Sequence, residues 1–174
     1  DQCVKAPLSR TVGGEEEVYS RYPIKDKSLL VIDFGEADGA KVGWPVVLAE
    51  NIMVGRISEV KKYQSLVQTV FDSEWIQSAA VKSFEAIPDA EAQEASGVLK
   101  GGTPPHLELV TADFAVAQGG LVVNRSPEAP FGVLLGQVQD AEKGEGRFWH
   151  KIIVRPAFRP EDIHTVFVLT DFSL

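Results

Sequence analysis

Apolar residues in this chain come in short runs. From Ser28 onward, β-rich segments recur about every eight to twelve residues, punctuated by Gly, Pro, Asn and Asp. That spacing predicts an all-β barrel or sandwich. The most orderly stretch covers residues 32–60. There, Val31 and Ile32 give way to a turn in which Gly35, Asp38 and Gly39 supply the chemistry, and apolar residues return at Val46, Val47 and Leu48 and again at Met53, Val54 and Ile57. This reads as a small β-meander. Residues 65–81 predict a strand, a turn and another strand, with Asp72 or Ser73 capping a single helical turn over 74–76.

The rest of the chain carries weaker periods. Residues 85–95 are acidic and contain Pro88, and after it the run 89–95 has no large apolar side chain to bury, so any helix there lies on the surface. In the run from His106 to Val110, Leu107 and Leu109 alternate with Glu108, the period of a half-buried strand. Phe148, His150, Ile152 and Val154 share one strand face, opposite Trp149, Lys151, Ile153 and Arg155. The final run, 165–172, is apolar on both faces, which predicts a central strand. Residues 1–27 hold Gly13, Gly14, three successive glutamates and Pro23 without a sustained period, and read as a lead-in that is mobile until about Tyr19.

Composition narrows the function classes. A chain of 174 residues with 44% hydrophobic content can bury a real core in one large or two small domains. The net charge of -8 provides no basic surface for phosphate neutralisation, which argues against a nucleic-acid or anionic-lipid partner. Cys3 is alone, so no internal disulfide forms, and it reads as an incidental thiol. No apolar run approaches the roughly 20 residues that span a bilayer, and no signal-peptide pattern opens the chain. The start at Asp1 fits a processed fragment.

Candidate chemistry is sparse. The available bases, His106, His150 and His164, lie in no nucleophile motif. His106 and His150 read as strand residues near an edge, and His164 as a turn residue. No zinc spacing occurs, and residues 33–39 fail as a calcium loop because Gly35, Ala37 and Trp44 stand where ligands belong. Gly14, Gly101 and Gly102 form no phosphate cradle. No cofactor or metal is expected. Arg56 reads as a solvent-side or ion-paired arginine, with Glu59 or an acidic group across the strand as its partner. Trp44, Trp75 and Trp149 are candidates for interface anchors as well as for core.

Residues 32–60 resemble the extracytoplasmic part of the rod shape-determining MreC family, whose pattern there is I-D-x-G, a polar gap, D-G-V-x-x-G-x-P-V-V, a turn, then V-G-R-V or V-G-R-I. The matching residues are Ile32, Asp33, Gly35, Asp38, Gly39, Val42, Gly43, Pro45, Val46, Val47, Val54, Gly55, Arg56 and Ile57. Ser65, Val67 and Asp72 match the next segment. Gly119, Val122, Val123, Gly132, Gly136 and Val138 match a later one, where Gly120, Asn124, Arg125 and the Pro130-Phe131 order depart from the pattern. Val154, Pro156, Ala157, Asp162, Val166 and Val168 match the close.

The resemblance implies two small β-barrels after the lead-in, the second inserted into the first: 28–71 with 146–174, and 72–145. It implies a non-enzymatic scaffold, membrane-anchored by a single upstream span and facing the periplasm. Its partners would be itself, the penicillin-binding transpeptidase of elongation, MreD and MreB. Barrel edges and apolar patches would do the recognising. Phe131, Val133, Leu134 and Leu135, with Arg56, are the candidate partner surface. Asp33, Gly35, Asp38, Gly39, Gly43, Gly55, Asp72, Gly132, Gly136 and Pro156 are the structural positions of the motif. A double-barrel hydrolase and a glycan-binding barrel with a concave site lined by Trp44 or Trp149 are the alternatives.

Overall fold

A computed structural model describes residues 5–7, 20–21, 27–48, 51–82 and 93–169. Among them, thirteen strands follow in chain order: β1 (Lys5–Pro7), β2 (Ser20–Arg21), β3 (Leu29–Ile32), β4 (Pro45–Leu48), β5 (Ile52–Val60), β6 (Ser65–Thr69), β7 (Ile76–Lys82), β8 (Glu94–Lys100), β9 (His106–Glu108), β10 (Leu121–Asn124), β11 (Leu134–Glu142), β12 (Lys151–Pro156) and β13 (Phe167–Leu169). The remaining regular structure is two short 3-10 turns, Glu36–Asp38 and Pro160–Asp162.

Six strands close on themselves in the order β7, β8, β9, β12, β11, β10 and back to β7, every pair antiparallel. Closure leaves this barrel no free edge. Ala79, Val81, Leu99, Leu107, Val122, Val138, Ile152 and Val154 are buried in the core. The other seven strands form a second, open sheet in the order β2, β3, β6, β5, β4, β13, β1. It buries Leu30, Ile32, Val46, Ile57, Val67 and Val168. The two units meet where β5 and β11 run parallel for one bridge, Ile52 opposite Leu134.

The stretch over 32–60 supplies β3, β4 and β5 but not the expected meander: β4 and β5 pair as a hairpin, whereas β3 pairs with β6, which lies between it and β5. The reason is that the 33–44 connection bonds to the β5–β6 turn, through the Glu36 and Ala37 amides on the Lys61 and Lys62 carbonyls. Gly55 is where this sheet is tightest: a Cβ there would sit 2.0 Å from the carbonyl oxygen of Gln68 on β6, so only a hydrogen fits. Polar side chains serve the backbone at the sheet's ends. Ser65 Oγ donates to the Phe34 carbonyl at 2.6 Å, and Thr69 Oγ1 to the Lys27 carbonyl at 2.6 Å.

Several expectations are corrected. β12, expected with 28–71, pairs instead with β11 and β9 and completes the closed barrel, because a hairpin back onto β11 is its nearest pairing. Among the described residues of the C-terminal segment, only β13 joins the open sheet, between β4 and β1. The helical turn over 74–76 is absent. Asp72 Oδ1 accepts from the Glu74 amide at 2.7 Å and the Trp75 amide bonds the Asp72 carbonyl at 3.0 Å, after which Ile76 already pairs with Lys100. Leu109 does not share an inward face with Leu107: β9 ends at Glu108, Leu109 takes φ 62°, and its side chain is 56% exposed. β8 claims Glu94 and Ala95 from the expected acidic connection, whose residues 85–92 lie outside the described ones. The lead-in contributes β1 and β2, which form the outer strands of the open sheet. Cys3 and the end of the expected final strand lie outside the described residues.

Candidate partner-binding surface

The loop from β10 to β11, residues 125–133, is built on one buried side chain. Asn124 is fully buried, and its Nδ2 shares its two hydrogens among the carbonyls of Ser126 at 2.9 Å, Ala129 at 2.9 Å and Pro130 at 3.0 Å. Its Oδ1 accepts from the Ser126 amide at 2.8 Å and from Gln77 Nε2 at 2.7 Å. Three loop carbonyls are thereby gathered on one amide, while Pro127 and Pro130 limit the backbone further. Gly132 then turns the chain at φ 80°.

This frame holds Phe131 outward with 71% of its surface exposed. The Arg125 guanidinium lies 5.4 Å from the ring centroid, within cation-π range. Arg125 is held in turn by Glu94, Nε to Oε1 at 3.1 Å with a second contact from Nη2 to Oε2. That hydrogen-bonded pairing with Arg125 keeps the Glu94 carboxyl below its ordinary value.

Past Gly132 the two-residue period of an extended chain decides which candidates are accessible. Val133 and Leu135 are buried in the core, so neither forms part of a free surface, while Leu134 between them is half-buried. The proposed run of exposed side chains therefore reduces to Phe131 and one face of Leu134.

Arg56 projects from β5 toward the same loop. Its guanidinium stacks 4.1 Å from the ring centroid of Trp75, its Nη1 pairs with Glu128 Oε2 at 2.5 Å, and its Nη2 donates to the Ile76 carbonyl at 3.2 Å. Glu59 is not its partner; it lies 3.9 Å from Lys61. One arginine thus clasps the open sheet to the barrel loop, with exposed Ile76 on one side and the Phe131 loop on the other. Trp75 is core, 1% exposed. Trp149 is half-buried with its indole N–H on the Phe114 carbonyl at 2.9 Å, and Trp44 is half-buried near Lys41.

The model of the family "Rod shape-determining protein MreC, barrel core" matches residues 18–170. The chain belongs to the MreC family. Solved MreC structures share its fold. That from Listeria monocytogenes superposes with a TM-score of 0.73 at 20% identity, over 88% of this chain and 73% of that one. The Pseudomonas aeruginosa structure gives 0.70 at 22% identity, over 88% and 96%. MreC in a complex with a penicillin-binding protein from Helicobacter pylori gives 0.62 at 12% identity, over 90% and 97%. No curated protein matches the chain.

Within this MreC fold the histidines are dispersed. His106 Nε2 contacts Glu108 Oε1 at 3.1 Å on β9, and His150 and His164 are exposed. Among the described residues no group of three or more His, Cys, Asp and Glu comes together, and no helix is long and apolar enough to cross a membrane. Sequence reasoning missed Asn124, Gln77, Glu94 and Glu128 as builders of the surface. Asn124 carried a usable signal, an amide just before a Pro-rich loop. Glu128 carried none, since it is 72 positions from Arg56.

Proposed function

We propose that the chain is a non-enzymatic, extracytoplasmic scaffold of the rod-shape system that binds the penicillin-binding transpeptidase of cell elongation through the Phe131 loop. The observation that carries this reading is an aromatic side chain 71% exposed on a loop fixed from beneath by Asn124. Membership of the MreC family and the solved complex of a Helicobacter pylori relative with a penicillin-binding protein support it. A rigid aromatic on a short loop enters a partner's pocket at little entropic cost, the property that makes such residues binding hot spots. No bond is made or broken in this role. Binding shifts the partner between its own conformations, or places it, by the difference in affinity for each. Self-association, contacts with MreD and MreB, and anchoring by a single upstream membrane span complete the proposal.

The test is light scattering of the chain alone and mixed with the purified extracytoplasmic domain of the elongation transpeptidase. A stable mixed complex is expected, and Phe131→Glu should weaken it by about 1.4 kcal/mol or more, tenfold in Kd. An unchanged affinity with the fold intact removes this loop as the docking surface. Absence of any complex removes the reading itself.

A further inference from the structure

The seam between the two units opens into a cleft of about 660 Å3 that shares Leu134 with the Phe131 surface. Leu48 and Ile52 from the open sheet, Leu134 from the barrel, and Phe158 and Ile163 from the connection between β12 and β13 give it an apolar lining. A second cleft of about 490 Å3, containing Lys27 and Phe71, lies across the 155–159 segment, and Arg155 and Arg159 border both.

The charges there are unequally satisfied. Arg159 is neutralised by Glu161 at 3.3 Å and Asp162 at 3.7 Å. Arg155 is not: among the described residues its side-chain partner is the neutral amide of Gln137, at 3.5 Å. Arg155 is exposed at the border of the cleft, so its guanidinium meets solvent in the free chain and exchanges that water for a carboxylate presented beside the apolar lining.

We propose that this seam cleft is a docking site for a partner-protein segment that presents a single carboxylate next to bulky aliphatic side chains. The aliphatic groups fill the Leu48, Ile52 and Leu134 side, and the carboxylate takes the Arg155 fork. An acidic run is disfavoured, because Asp162 already borders the cleft and the chain's net charge repels further anions. Since the walls come from both units, the occupant bridges the seam at the Ile52–Leu134 pairing. The proposal rests on the partner-binding reading above, but its test needs no transpeptidase.

The experiment is a nitrogen-15 amide titration of the whole chain with the capped peptide Ser-Leu-Val-Asp-Leu-Ser, its Asp-to-Asn counterpart, and a muropeptide bearing a carboxylate. Saturable shifts are expected at Ile52, Leu134 and residues 155–163 with the Asp peptide. Apparent Kd should rise about tenfold or more with the Asn peptide or with Arg155→Glu. Arg155→Gln, which leaves a neutral exposed side chain, should weaken binding as well and guards against a folding artefact. Shifts confined to other surfaces, shifts with the muropeptide alone, equal affinity for the Asp and Asn peptides, or no shift up to about 5 mM peptide would each overturn the proposal.

Discussion

At the residue scale, Asn124 and Gly55 hold more structure than their size suggests. Asn124 satisfies three carbonyls and two donors from a fully buried position. Asn124→Ala leaves those groups unpaired, so unfolding in urea should show a loss of about 2–4 kcal/mol. Phe131 would lose its fixed orientation in the same variant. Asn124→Asp is the sharper control: it keeps the acceptor that serves Ser126 and Gln77, removes the Nδ2 donor and buries a charge, so it should cost at least as much. Gly55→Ala tests a different constraint, the 2.0 Å approach to the Gln68 carbonyl. The strands must spread to admit the methyl group, and a drop of about 2–3 kcal/mol in the same assay is expected. Gly55 was legible from its place in a V-G-R-I motif on a strand, because a glycine amid β-branched residues marks a close approach. The network of Asn124 was not, because its partners are backbone carbonyls that the loop assembles only once it is folded.

Among elements, the sequence displayed strands well and their endings badly. β3, β4, β5, β6 and β12 follow visible alternation or β-branched runs, and β12 alternates between exposed Lys151 and Arg155 and buried Ile152 and Val154. Leu109 kept the alternation but not the strand, since its φ of 62° breaks the pleat. Long-range clasps between elements leave no trace in local pattern, and Arg56 illustrates this. Its stacking on Trp75 and pairing with Glu128 join β5 to the Phe131 loop. Because the pair is partly exposed, at 23% and 45% of side-chain surface, its coupling should be modest. A double-mutant cycle of Arg56→Ala and Glu128→Ala should give about 0.5–1 kcal/mol, smaller at high salt. Arg56→Ala alone should cost more, since it also uncovers Trp75 and frees the Ile76 carbonyl. Faster amide exchange in residues 126–132 of that variant would show that the clasp steadies the loop; exchange unchanged from the parent would restrict Arg56 to packing.

For the whole molecule, the all-β class and the turn spacing were readable, but the partition into units was not. Nothing local distinguishes a strand that returns to β11 from one that joins β4, and β12 and β13, separated by one connection, take opposite choices. Electrostatics is also a property of this scale, and its pH dependence follows from carboxyls tied across strands. Glu94 is held below its ordinary value of 4.5 by hydrogen bonding to Arg125, and Glu108 by Lys100 and then His106. A carboxyl whose folded value is depressed binds protons more readily in the unfolded chain. Its stabilisation is therefore complete above 4.5 and is lost as pH falls through the lower folded value. Both groups are about 40% exposed, so solvent screening limits each to a few tenths of a kcal/mol. The thermal midpoint should hence be nearly flat above about pH 5 and decline gently below it. Replacing Glu94 and Glu108 together with Gln should lower the plateau slightly and flatten the decline. A decline of the same steepness in that variant would place the acid sensitivity in other carboxyls. Near the isoelectric point of 4.9 the net charge of -8 vanishes, removing the repulsion that separates copies. Light scattering alongside each melt separates the two effects, because charge loss raises particle mass at the isoelectric point in parent and variant alike, whereas the linkage effect alters the melt of a monomer.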